Sequence, residues 1–172
     1  NMMSGGCIAT LQKPSFDAHE LWAAVERHKV NSMAIVGDAF ARPMLSALDE
    51  APTRYDLSSL VTIVSSGVMW STETKRRLIG HIPQVVLADS FGASEGLGFG
   101  TSLTTKDGEV QTARFQIGGR CRVFDDNDKE VLPGSGKPGF IAMAPPIPLG
   151  YYKDPEKTAK AFRTIDGVRY SI

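Results

Sequence analysis

The sequence predicts an α/β fold: a parallel-sheet βαβαβ lobe followed by a small antiparallel, β-barrel-like subdomain. Two observations predict the first part. Short continuous apolar runs alternate with helical patterns, and each run ends in a small or polar residue, which is the signature of buried parallel strands joined by helices. A third observation predicts the second part: beyond Thr101 the strands shorten and turn signals multiply. The expected division is residues 1–110 for the sheet lobe and 111–172 for the smaller unit.

The elements follow in order. Asp17 and Glu20 have capping-box spacing, and Leu21, Val25 and His28 recur at helical period, so a helix is expected over about 18–29. Residues 32–36, S-M-A-I-V, read as a buried strand closed by Gly37. A helix over about 39–49 carries Phe40, Met44, Leu45 and Leu48 on one side, with Pro43 weakening its start. Residues 60–64, L-V-T-I-V, form the next strand and run into Ser65-Ser66-Gly67. Ser71 caps a helix over about 72–79. Residues 85–88, V-V-L-A, form a third strand. In the second part, 120–125 and 129–132 flank a polar turn, 139–144 is a strand, and Asp154-Pro155 starts a short helix that ends near Phe162. Asp166-Gly167 marks a hairpin between Thr164 and Val168.

Composition narrows the function. A 42% share of hydrophobic residues against 22% charged describes a soluble globular chain. Nineteen basic and nineteen acidic residues balance, which gives no electrostatic reason to expect nucleic acid or a membrane surface as partner. The two cysteines, Cys7 and Cys121, are far apart and lack metal-ligand spacing, so free thiols in a reducing, cytoplasmic compartment are expected. No apolar run reaches the length of a membrane helix, and no signal peptide is evident. Both ends read as cut, because the chain opens at Asn1 and stops within an apparent strand at Val168–Ile172.

Ligands of open parallel sheets bind beyond the carboxyl ends of the strands. Those ends are Gly37-Asp38, Ser65-Ser66-Gly67, and the stretch D-S-F-G-A-S-E-G over 89–96. Only the third unites a carboxylate, a hydroxyl and an aromatic ring. Its G-A-S-E-G fits the G-x-S-x-G elbow of serine hydrolases, which requires a strand, the Ser, then a helix, with Asp and His downstream. Gly96, Gly98 and Gly100 are poor helix material, each costing about 0.8–1 kcal/mol against Ala, and His19, His28 and His81 all precede Ser94. A hydrolase is therefore the least favoured reading. Two further patterns fail: 134–137, G-S-G-K, lacks the first Gly and the Ser or Thr of a phosphate loop, and the calcium-loop start at 125–130 has Glu130 at the obligatory Gly. The histidines lack zinc spacing.

A nucleotide suits the third strand end better. Glu95 could hold Mg²⁺, which is usually bound by one or two carboxylates together with phosphate oxygens. Ser94 offers a hydroxyl to phosphate, worth roughly 1.5–3 kcal/mol. Phe91 offers a face for a base, worth about 1–3 kcal/mol in nucleic-acid cases. The same residues could equally be core, turn and solvated surface.

A resemblance favours the nucleotide. Residues 56–68, D-L-S-S-L-V-T-I-V-S-S-G-V, resemble the D-L-S-S-L…s-G-g-A segment of the adenylate-forming enzymes: acyl- and aryl-CoA synthetases, firefly-type luciferases and peptide-synthetase adenylation domains. Residues 90–95, S-F-G-A-S-E, resemble their Y-G-x-T-E motif. Residues 138–141, P-G-F-I, then 150–156, G-Y-Y-K-D-P-E, and Thr158 resemble G-E-[LI] followed by G-Y-x-x-x-P-E-x-T, and Tyr170 resembles the Tyr of Y-x-T-G-D. Four motifs in order cover essentially the whole chain. The resemblance implies the central part of the large N-terminal domain of an acyl-CoA synthetase, with further N- and C-terminal parts of the same enzyme outside this chain. It implies a small-molecule carboxylic acid, a fatty acid foremost, activated with ATP and Mg²⁺ and passed to coenzyme A. The alternatives are loading of a carrier protein and a non-catalytic nucleotide-binding module.

The resemblance further implies that Gly67 and Val68 line the adenine and that Phe91 stacks on it. Asp89 or Ser90 lies near its amino edge, Gly92 and Ala93 complete the binding stretch, Ser94 contacts the α-phosphate, and Glu95 holds the metal. Ser94 and Glu95 are thus the expected catalytic pair. Phe91 stands for the usual Tyr, Ser94 for Thr, Phe140 for Glu, and Ser171 for Arg or Lys. The phosphate loop, ribose-binding Asp and catalytic Lys of the family lie outside these 172 residues, so the chain alone is expected to be inactive. Gly92, Gly96, Gly98 and Gly100 are expected to leave space for an acyl chain or ring, so that Gly96→Leu would shorten the accepted acid.

Overall fold

In the computed structural model, which describes residues 5–108, 110 and 114–172, the chain forms two compact units. The first comprises Asn1–Asp89 and Ser102–Arg114, the second Ser90–Thr101 and Phe115–Ile172. The expected boundary between residues 110 and 111 adjoins positions outside the described residues, while residues 90–101 group with the second unit.

The first unit follows the expected alternation: α1 (Ala18–His28), β1 (Ser32–Ile35), α2 (Gly37–Glu50), β2 (Thr62–Ser65), α3 (Thr72–His81) and the start of β3 (Val86–Ala93). Asp17 caps α1 through Oδ1, which accepts from the His19 and Glu20 N–H groups. The reciprocal half of the capping box is absent, because Glu20 Oε1 instead accepts from the Gln12 N–H at 3.1 Å. β1 pairs with β2, and β2 with β3, in parallel register. The core joins Trp22 and Val25 of α1, Met44, Leu45 and Leu48 of α2, Ile63 and Leu87 of the strands, and Leu78 of α3. The Trp22 indole is fully buried yet satisfied, donating to the Met44 carbonyl at 3.0 Å.

β4 (Gly96–Thr104), of which residues 96–101 belong to the second unit, follows β3 after only Ser94 and Glu95. The first sheet has the order β1-β2-β3-β4-β5, with β5 (Gln116–Ile117) antiparallel to β4. A separate antiparallel sheet has the order β6-β7-β9-β8 (Cys121–Phe124, Phe140–Met143, Val168–Ser171, Phe162–Ile165). This separate antiparallel sheet is the small second β-unit expected from the sequence. α4 (Pro155–Ala161) starts as expected: Asp154 Oδ1 accepts from the Lys157 N–H, and Pro155 opens the helix. The Asp166-Gly167 hairpin pairs Ile165 with Val168. Residues 129–132, expected as a strand, make a single bridge, Glu130 with Phe124, because Asp125 Oδ1 accepts from the Asn127 and Lys129 N–H groups and tightens the turn.

Candidate active site

The parallel register puts Ile35, Ser65 and Asp89 side by side at the carboxyl ends of the three strands. This is the level at which open α/β sheets receive ligands. Ser65 is buried, and its hydroxyl accepts from the Gly37 N–H at 2.9 Å. Gly37 has φ +51°, and a Cβ built there would sit 2.7 Å from the Met69 carbonyl oxygen and 2.9 Å from that of Val68. A side chain at 37 is therefore barred by conformation and by space, which lets residues 67–69 lie against the start of α2. Gly67 is also left-handed, at φ +86°. The Val68 and Met69 side chains are exposed. Asp38 Oδ1 accepts from the Ser71 N–H at 3.0 Å and ties the far end of this segment to α2. Burial pushes the Asp38 carboxyl up, but bonds from Ser71, Thr74 and Arg42 outweigh it, so its pKa lies below the ordinary carboxylate value.

Sequence reasoning missed Lys75. Its side chain is fully buried, and Nζ donates to Asp89 Oδ2 at 2.5 Å, with the Asp89 side chain 15% exposed. The ammonium also lies 5.9 Å from the Trp70 ring centroid. A usable signal was present: Lys75 shares the helical stripe of Leu78, Ile79 and Ile82, all buried. A Lys at a core position must find an anionic partner.

In the second unit, Ser94 and Glu95 form the two-residue turn between β3 and β4. A strand follows Ser94 where a hydrolase elbow needs a helix, which removes that reading. The run G-L-G-F-G lies in β4, with Phe99 buried beside Cys121 and Met143 and Leu97 exposed; residues two apart share a face in a regular strand, and the left-handed Gly98 between them, at φ +79°, breaks that pattern. Phe91 is half-buried and stacks on Phe99, with centroids 5.4 Å apart and planes at 25°, and Phe115 meets it at 5.4 Å and 55°. These neighbours fix the ring plane. Ser90 is half-buried; Gly92, Ala93 and Ser94 are exposed; Glu95 is half-buried and makes no ion pair among the described residues.

The four glycines do not open a cavity as expected. A Cβ on Gly92 would lie 3.2 Å from the Gly98 N, and one on Gly100 would lie 3.0 Å from the Phe115 Cβ. At Gly96 it would meet Ser171 Oγ at 2.9 Å, with Met143 Sδ and Phe99 Cζ at 3.1 Å. Only Gly98 faces open space, and its φ of +79° disfavours any side chain. Close packing, not room for an acid, accounts for Gly92, Gly96 and Gly100.

Gly67, Val68 and Asp89 thus belong to the strand ends of the first unit, and Ser90 to Glu95 belong to the hairpin of the second. Among the described residues no group of three or more His, Cys, Asp and Glu could hold a metal by itself. A lone hard carboxylate beside a hydroxyl fits Mg²⁺ only when phosphate oxygens complete its shell.

The model of the AMP-binding enzymes matches residues 1–152. The chain belongs to this AMP-binding enzyme family. It is 43% identical, over 99% of its length, to a medium/long-chain-fatty-acid–CoA/3-oxocholest-4-en-26-oate–CoA ligase of Mycolicibacterium smegmatis, of which it covers 31%. It is 40% identical, over its full length, to a 3-oxocholest-4-en-26-oate–CoA ligase of Rhodococcus rhodochrous, covering 32% of that protein. The chain thus spans about a third of the length of these curated relatives. A nonribosomal peptide synthetase protein containing adenylation and PCP domains superposes with a TM-score of 0.79 at 18% identity, over 99% of this chain and 35% of the other, and supports the fold. No helix among the described residues is long and apolar enough to cross a membrane.

Proposed function

We propose that the full-length protein activates a carboxylic acid with ATP and transfers the acyl group to coenzyme A. The observation that carries this reading is 43% identity across 99% of the chain to a CoA ligase. The proposed acid is a medium- or long-chain fatty acid or an acid bearing a fused ring system, the two kinds joined in that relative's name. The same reading puts the enzyme in the cytoplasm, where ATP and coenzyme A are supplied.

The chemistry follows from what the residues offer. An oxygen of the acid attacks the α-phosphorus of ATP, and the bond to the β-phosphate oxygen breaks, so pyrophosphate leaves with the electron pair. The coenzyme A sulfur, having lost its proton, then attacks the acyl carbon and AMP departs. Neither step needs a protein nucleophile; positioning and charge stabilisation suffice. Ser94, exposed at the hairpin turn, donates its hydroxyl to an α-phosphate oxygen. Glu95 is the residue that would hold Mg²⁺, and the ion's charge would offset that of the phosphates. Phe91 offers the base a ring already fixed in plane by Phe99. Gly67 and Val68 present backbone to the base, the chain at Asp89 and Ser90 flanks its amino edge, and Gly92 and Ala93 let the turn approach the phosphates without side-chain bulk.

The test is direct detection of product. The full-length parent with ATP, coenzyme A and a panel of medium-chain, long-chain and steroid acids is expected to give acyl-AMP and acyl-CoA by mass spectrometry. Acyl-AMP without acyl-CoA would contradict the acceptor, and neither product with any acid would contradict the activity.

A further inference from the structure

We infer that Lys75 is a positioning residue for the nucleotide, and that Asp89 serves as its buried counter-charge rather than as a reader of the base's exocyclic amine. This rests on the nucleotide reading above and deepens it. The Lys75 side chain has no exposed surface, its ammonium donates to Asp89 Oδ2 at 2.5 Å, and the indole of Trp70 lies 5.9 Å from it. A buried ammonium is costly without an anionic partner, so the bond to Lys75 holds Asp89 Oδ2 toward α3. Asp89 is also fixed from the other side, paired across the sheet with Ser65, whose hydroxyl holds the Gly37 N–H at 2.9 Å. Ser90 and Phe91 follow directly in the chain. The pair therefore pins α3 to the point where the binding stretch begins, and it acts on the base only through the backbone.

The test uses the full-length parent with ATP and with inosine triphosphate, which has a carbonyl where adenine has its amine. Affinities come from calorimetry and KM and kcat from pyrophosphate exchange, for wild type, Asp89→Asn, Lys75→Met and the double variant. If the pair positions the backbone, Asp89→Asn and Lys75→Met each weaken both nucleotides by about tenfold or more, a loss of about 1.4 kcal/mol per decade. The ratio of ATP to inosine triphosphate stays at its wild-type value. The double variant, which removes both charges of the pair, is less impaired than the two single losses multiplied together. A selective loss of ATP in Asp89→Asn would overturn the inference, since the carboxylate would then be reading the amine, and so would strictly multiplicative losses. Asp89→Asn keeps the shape of the side chain, and the calorimetric ratio stays readable where turnover falls. A parent that binds both nucleotides but exchanges with no acid refutes the adenylation reading while leaving this inference to be judged on the ratio. A parent that binds neither refutes both.

Discussion

Replacing Gly96 with Ala separates a packed glycine from one that makes room for substrate. The added methyl would lie 2.9 Å from Ser171 Oγ and 3.1 Å from both Met143 Sδ and Phe99 Cζ. All three residues are buried, between 0 and 4% exposed, so none can give way into solvent. The backbone at 96 is not left-handed, and the penalty is therefore steric alone. An extra methyl in a filled core costs about 1–3 kcal/mol, and the adaptable thioether of Met143 absorbs part of it, which places the expected loss near 2 kcal/mol. With a urea slope of about 3 kcal/mol/M, the unfolding midpoint of the transition that includes this unit should fall by about 0.3–1 M. Ser171→Gly in the same molecule should return part of the loss. Urea unfolding of the full-length parent, read beside its acid chain-length profile, is the assay. An unmoved midpoint with a preference shifted to shorter acids would refute the packing argument, because the methyl would then point into substrate space.

Other outcomes follow from the same geometry. Gly37→Ala should destabilise by at least about 1–2 kcal/mol from its left-handed backbone alone, with a raised KM for ATP as residues 67–69 are pushed off α2; an unchanged melting temperature and KM would contradict this. Cys7 is exposed and Cys121 is buried, and burial pushes the Cys121 thiol up, so a thiol reagent should modify Cys7 in the native protein and Cys121 only on unfolding. Equal rates at the two cysteines would be inconsistent with the burial of Cys121 on β6. Asp17 is held down at about 2 by its bond to Lys13 and by the N–H groups it caps, from an ordinary value of 3.8. Its folded pKa is depressed, so its contribution is present above about pH 4 and fades as pH falls toward 2. Amide exchange at the start of α1, compared with an Asp17→Asn variant, should show this loss in the wild type alone.

The elements legible in the sequence are those whose side chains carry a period or a cap. Leu21, Val25 and His28 announced α1, Asp154-Pro155 announced α4, and Asp166-Gly167 announced the last hairpin. The strand after the Ser94-Glu95 turn was illegible because glycine alternates with Leu97 and Phe99, and a residue without a side chain contributes nothing to a hydrophobic pattern. The continuation of β3 through Ala93 was hidden likewise, since D-S-F-G-A reads as a loop by composition. Of the candidate site, the residue types could be read and their order matched a family. Their partners could not: the buried Lys75 contradicts the usual exposure of lysine, and its tie to Asp89 depends on α3 folding back against β3. The packing around Gly96 depends on Ser171, far away in sequence, which no local pattern reveals.

The central claim is that the full-length protein adenylates a carboxylic acid at a site whose metal-holding residue is Glu95. Acid-dependent ATP–pyrophosphate exchange by the full-length parent, with Glu95→Gln alongside, tests it most directly. The account predicts exchange that requires an acid, is strongest with a medium- or long-chain or ring-bearing acid, and falls by at least about a hundredfold in the variant, as when a preorganised electrostatic group is removed. Exchange that survives intact in Glu95→Gln would contradict the role of Glu95, and no exchange with any acid despite measurable ATP binding would contradict the activity itself.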